Sequence, residues 1–163
     1  MEPEIKLIPT KLLIGMSTEM SLTDNKTFRL FSLFMPRRKE LTSLVDEQVY
    51  DLRVYPENYY QPFSPANTFT KWAAVEVTET DSIPEGMKTF SLPAGEYAIF
   101  HLKGSIKDNS PFQYIFSQWL PDSGYQLDNR PHFDMMSTLQ KRDSPEFEQK
   151  IFIPIKKNST HGP

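Results

Sequence analysis

Two carboxylates fall where an apolar strand would hold them, and they are the first candidates for chemistry. Glu76 lies within the alternating run Trp72-Ala73-Ala74-Val75-Glu76-Val77, and Asp134 follows Pro131-His132-Phe133. Desolvation raises the pKa of a carboxylate in an apolar pocket, which lets it act as acid or base near neutrality or anchor a charged ligand. A basic neighbour removes that poise. Arg53 or Lys150 beside Glu76 would keep it ionised, and pairing of this kind ranks ahead of ligand anchoring and well ahead of catalysis. No other catalytic pattern is present. His101 and His132 sit on predicted strands without metal-ligand spacing, and His161 lies in a polar tail predicted to be disordered. The chain has no cysteine, which excludes a thiolate nucleophile, a disulfide and a Cys-built zinc site. With six glycines and no Gly-rich phosphate loop, neither a nucleotide cofactor nor any other cofactor is expected. No motif places a base beside a serine. Among the methionines, Met135 reads as core, whereas Met16 and Met136 are better placed to line a pocket that repacks around different guests.

Composition narrows the class. The 163 residues suit one domain with a real core, 38% hydrophobic and 24% charged. A net charge of −3 and one short basic cluster, Arg37-Arg38-Lys39, fall short of the clustered positive surface that a phosphate-backbone binder needs. That cluster follows a helix stop, where cations complement the negative helix end. No apolar run reaches the ~18 residues needed to span a bilayer, and the acidic N-terminus is unlike a secretory signal. The expectation is a cytoplasmic protein with no membrane and no direct nucleic-acid partner.

Periodicity then supplies the elements that must position these groups. Leu12 to Leu22, Val49 to Tyr55, Lys71 to Thr78, Lys88 to Leu92, Glu96 to Lys103, Phe133 to Ser137 and Phe147 to Ile155 read as strands. Thr27 to Met35 and Pro111 to Leu120 read as helices stopped by Pro36 and Pro121, centred on Phe31 and Phe116, with Asn25 or Thr27 capping the first. A shift of 85 positions sets Leu30-Phe31-Ser32-Leu33-Phe34-Met35-Pro36 on Ile115-Phe116-Ser117-Gln118-Trp119-Leu120-Pro121. The fold class predicted is α+β: two pseudo-symmetric β-α-β-β repeats, about 5–80 and 88–157, in one domain spanning 1–157 with a tail at 158–163. One antiparallel sheet would carry both helices on one face.

The strand phases place Leu52, Val54, Ala73, Val75, Val77, Phe133, Met135, Ile151, Ile153 and Ile155 under the helices. The opposite face then receives Arg53, Tyr55, Trp72, Glu76, Asp134, Met136, Lys150 and Phe152. Aromatic and charged groups together suit a ligand cleft better than bare solvent. With Met16 added, these nine residues are the predicted ligand-binding set, the guest a small hydrophobic or aromatic molecule. Glu76 and Asp134 are the catalytic candidates if turnover occurs.

The stretch Phe90-Ser91-Leu92-Pro93-Ala94-Gly95-Glu96-Tyr97-Ala98-Ile99-Phe100 resembles the glycine-tyrosine entry strand of GyrI-like proteins. Pro111-Phe112-Gln113-Tyr114, Trp119-Leu120-Pro121-Asp122-Ser123-Gly124-Tyr125, Pro131-His132-Phe133-Asp134 and Ile151-Phe152-Ile153-Pro154-Ile155 extend the likeness. The resemblance implies a stand-alone small-molecule-binding domain of the kind used as effector domain by AraC- and MerR-type regulators, with two repeats around a central cleft. It also implies a protein partner, either a regulator or DNA gyrase, and offers hydrolysis of reactive cyclopropane-type compounds as the alternative activity. Three positions depart from the family pattern: Asp134 and Met136 stand where a glutamate and, two residues on, a tyrosine are usual, and Lys150, where an acid often precedes the last strand, is expected to neutralise the shortened acid. The lipophilic-cation preference of relatives is therefore not carried over, and the expectation is a binder rather than an enzyme. No helix-turn-helix signature is seen, so no DNA-binding module is expected.

Overall fold

The computed structural model describes residues 2–105, 107–137 and 143–158; the predicted tail from 159 onward, with His161, lies outside them. The first half contributes strands β1 (Glu4–Ile8) and β2 (Lys11–Met20), helix α1 (Thr27–Phe34) and strands β3 (Gln48–Val54) and β4 (Phe69–Glu76). The second contributes β5 (Lys88–Leu92), β6 (Gly95–Lys103), helix α2 (Ser110–Tyr114), β7 (Tyr125–Leu127), β8 (His132–Ser137) and β9 (Glu148–Lys157). Helix α2 runs on through a wider π turn at Ile115–Trp119 and closes at Leu120–Asp122. Pro121 has no N–H to donate four residues back, so the widened turn just before it accommodates the missing bond. Helix α1 gives way at Met35 to a 3₁₀ turn through Pro36. Asn25 Oδ1 accepts the Thr27 N–H at 2.9 Å and fixes its start. Strands β1 and β7 are the elements that periodicity missed, β1 being short and largely exposed and β7 only three residues long.

All strand pairs are antiparallel, in the order β1-β6-β9-β8-β3-β4-β2-β5, with β7 on β9. Tyr50 and Met135 face each other across β3 and β8. They are also the two positions that the repeat shift equates, so the pseudo-twofold axis passes between them. Each repeat lends its first strand to the other, β1 to β6 and β5 to β2.

The order forces the sheet to curl. Six strand spacings of about 4.8 Å separate β1 from β2 in a flat sheet, about 29 Å. The two residues joining them, Pro9 and Thr10, let Ile8 and Lys11 lie at most about 11 Å apart. The same holds for β5 and β6, joined by Pro93 and Ala94. The two ends of the sheet must therefore meet, and the face without helices becomes an enclosed interior. Tyr50, Leu52, Phe133 and Tyr97 are all 0% exposed there, packed with Trp72, Phe152, Ile8 and Leu92. Phe133 is the hub: its ring stacks on Phe152 at 4.3 Å and meets Tyr97 at 5.2 Å and Tyr50 at 5.4 Å.

The entry strand's glycine and tyrosine have physical causes. The Arg130 guanidinium lies where a Cβ on Gly95 would project. From there it donates to the carbonyls of Glu96 (2.6 Å) and Ile155 (3.1 Å) and covers the Tyr97 ring at 4.7 Å. Tyr97 in turn donates its hydroxyl to the Pro131 carbonyl at 3.1 Å.

Both helices lie on the other face, as expected. Leu30, Phe31 and Phe34 of α1 pack on Ile14, Ala73 and Val75; Ile115 packs on Ala98, Phe100, Ile151 and Ile153. The predicted phases of β4 and β9 hold, but those of β3 and β8 are reversed. Leu52, Phe133 and Met135 face the enclosed interior, whereas Asp51, Arg53 and Asp134 share the helix face. The expected cleft on the face opposite the helices is corrected accordingly. Aromatic rings fill the centre of that face, with a cavity of about 270 Å³ at one end beside Met135, His101 and Lys150, and the crevice that holds Arg53 and Asp134 lies between the helices.

Candidate functional site

Register alone assembles the floor of this crevice. Across β8, β3 and β4 one row reads His132, Arg53, Lys71, and the next reads Asp134, Asp51, Ala73. Two acids therefore sit one step along the strands from three basic side chains. Arg53 Nη1 donates to Asp51 Oδ1 at 3.1 Å and Nη2 to Asp134 Oδ1 at 3.0 Å. Lys71 Nζ lies 3.2 Å from Asp51 Oδ1 and donates to Thr27 Oγ1, at the start of α1, at 3.1 Å. Asp51, Lys71, His132 and Asp134 are all buried. The walls are Tyr55 and Tyr60 from the loop after β3, and Phe112 and Phe116 from the second helix, enclosing about 380 Å³.

The two acids are not equivalent. Burial alone would raise Asp51, but the Lys71 ammonium and the Arg53 guanidinium hold it below the ordinary carboxylate range. Asp134 has only Arg53, and burial, aided by the nearby Asp51 charge, raises it. Burial, with the positive charges of Arg53 and Arg130, pushes His132 down to about 3. Its neutral ring meets Tyr55 edge-on at 5.0 Å.

The His132 shift has a measurable sign. The unfolded imidazole takes up a proton below about pH 6.5 and the folded one does not. Stability is therefore lost as pH falls through that window, at up to about 1.4 kcal/mol per pH unit from this residue. Urea unfolding of wild type and His132→Gln between pH 4.5 and 7 is expected to show a shallower slope in the variant. Equal slopes would mean that His132 is not held neutral.

Of the nine predicted binding residues, the structure brings Arg53, Tyr55 and Asp134 into the crevice. Met16 and Met136 share its face but not its lining: Met16 packs beside α1, and Met136 is buried opposite Val49. Trp72 and Phe152 belong to the enclosed interior. Glu76 also points away from the crevice, paired with Lys11 Nζ at 3.2 Å and accepting from the Tyr50 hydroxyl at 3.4 Å, in place of the expected Arg53 or Lys150. Lys150, opposite Met135 and His101 on the far side of the sheet, does not neutralise Asp134; Arg53 does. Sequence reasoning missed Asp51, Lys71, His132 and Gln149 as lining groups. The signal for the first two was present: charged residues at strand centres, Asp51 inside Val49-Tyr50-Asp51-Leu52 and Lys71 inside Phe69-Thr70-Lys71-Trp72.

A family model of integron-associated effector-binding proteins, Cass2, matches residues 4–155. The chain belongs to this family. Over 150 residues this effector-binding protein is 30% identical to the transcriptional regulator BrlR of Pseudomonas aeruginosa, covering 90% of the chain and 53% of that protein. It is 34% identical over 74 residues to a DNA gyrase inhibitor of Erwinia billingiae, covering 45% of the chain and 47% of the inhibitor. The chain thus spans about half the length of the curated relatives it matches. The solved structure of SAV2435 bound to tetraphenylphosphonium shares the fold, with a TM-score of 0.71 at 12% identity over 99% of this chain and 98% of that one. The likeness to GyrI-like effector-binding proteins read from the sequence is borne out. No helix of the described residues is long and apolar enough to cross a membrane.

Proposed function

We propose that this effector-binding protein holds a bulky aromatic small molecule in the crevice between its two helices, and that occupancy of the crevice is its signal. The observation that carries this reading is the crevice itself: about 380 Å³ walled by four aromatic rings over a buried, hydrogen-bonded charged floor. Apolar walls supply affinity and a few fixed polar groups supply orientation. Tetraphenylphosphonium on SAV2435 is a bulky aryl guest on the same fold and supports the same size class. A transcriptional regulator and a gyrase inhibitor among the relatives support a signalling role exerted through a protein partner. Hydrolysis draws less support, because Glu76 is engaged by Lys11 away from the crevice and Asp134 is engaged by Arg53.

The test is calorimetric titration with triphenylmethanol. Phe116→Ala is expected to weaken binding about ten-fold, ~1.4 kcal/mol. Trp72→Phe, in the enclosed interior, is expected to leave it unchanged. The reverse pattern would place the guest on the other face and overturn the reading.

A further inference from the structure

The floor of the crevice carries an electrostatic statement about its guest. Its fixed charges cancel: Arg53 and Lys71 stand against Asp51 and Asp134, every ion-pair contact between 3.0 and 3.2 Å. A lipophilic cation needs an acid without a partner. Here the guanidinium bridges both acids and the ammonium takes Asp51 a second time, so an incoming cation meets two like charges and no carboxylate without a cation already on it. An incoming anion fares no better, because the same donors are already committed to Asp51, Asp134 and the Thr27 hydroxyl.

Among the fully buried side-chain polar atoms of the described lining residues, one has no partner. Gln149, on β9 and more than nine-tenths buried, has its carboxamide oxygen without a hydrogen-bond partner among the described residues. A buried acceptor of this kind costs stability until a donor reaches it, and the natural donor in a crevice is its guest. A carboxamide is uncharged and matches an uncharged partner, an amide, phenol or alcohol.

We infer that the guest of this crevice is an uncharged aromatic compound bearing an N–H or O–H donor, with Arg53 and Lys71 excluding cations and Gln149 reading the donor. This rests on the crevice being the binding site. It assigns Arg53 and Lys71 a specificity role: they turn a pair of buried acids, which would otherwise attract cations, into a neutral floor.

Three probes of nearly one shape separate the terms: triphenylmethanol (neutral, with O–H), triphenylmethane (neutral, without it) and methyltriphenylphosphonium (a permanent cation). Wild type is expected to bind triphenylmethanol at least ten-fold more tightly than the phosphonium and several-fold more tightly than triphenylmethane. Gln149→Leu is expected to abolish the second preference and keep the first. Arg53→Met releases both acids and is expected to raise phosphonium affinity ten-fold or more. Lys71→Met, which keeps the alkyl stem and the Arg53 bridge, gives a smaller rise and serves if the first variant does not fold. Equal or tighter phosphonium binding by wild type would overturn this inference while leaving the crevice reading intact. An unchanged alcohol preference in Gln149→Leu would overturn the role of Gln149. Binding of none of the three would overturn the crevice reading itself.

Discussion

Replacing Phe133 by alanine is expected to lower folding stability by about 3–5 kcal/mol, the range for emptying a well-packed aromatic site. The ring is fully buried and contacts three other aromatic rings from three strands. Those neighbours are themselves pinned by the closed sheet, so they cannot collapse into the space. Chemical denaturation should show a lower midpoint at an unchanged slope. A loss below about 1 kcal/mol would mean that the face without helices is loosely packed and not an enclosed interior. The same residue on a solvent-facing cleft wall would be removed at little cost, so this measurement also checks the assignment of the two faces.

Asp51→Ala is expected to cost a similar amount, about 3–5 kcal/mol, for a different reason. Burying two cations costs free energy that their shared carboxylate offsets. Without it, Lys71 keeps only the Thr27 hydroxyl, and Arg53 keeps Asp134 and the backbone carbonyl of residue 51. Because the loss comes from an unpaired charge, deleting that charge should restore much of it. The double variant Asp51→Leu with Lys71→Met is expected to be clearly more stable than Asp51→Ala alone. Additive losses in that pair would show that the two side chains are not coupled.

The positions of both helices were legible because their apolar spacing and flanking prolines are local signals, and α1 and the second helix centre where Phe31 and Phe116 indicate. The duplication was legible for the same reason: Ser and Pro recur in register. The faces of β3 and β8 were not. In an open sheet the side under the helices is the apolar one, and that rule places Leu52, Val54 and Phe133 there. Curling inverts it, since an enclosed interior takes the largest rings and leaves the helix side with a crevice that tolerates Asp51, Arg53 and Asp134. Curling depends on which strands pair across the repeats, and alternation within one strand carries no record of that. The binding set suffered in proportion. Arg53, Tyr55 and Asp134 meet in the crevice because they come from, or directly follow, the two strands whose phase is reversed, whereas Trp72, Glu76 and Phe152, from strands with the expected phase, stay on the face opposite the helices.

The exchange of first strands between the repeats bears on how the chain is made. A ribosome delivers Glu4–Ile8 roughly ninety residues before the strand that pairs with it, Gly95–Lys103. At the ~5–20 residues per second of synthesis, that is a wait of several seconds. Until then the first repeat holds an orphan strand, while its β2 also lacks the partner supplied by β5. An unpaired edge of this kind invites pairing with a neighbouring nascent chain. Glu4 and Lys6, charged and exposed on that first strand, are the residues that discourage it. A half-length chain would carry the same open edges with nothing in its own sequence to close them, and its readiest remedy would be a second copy of itself.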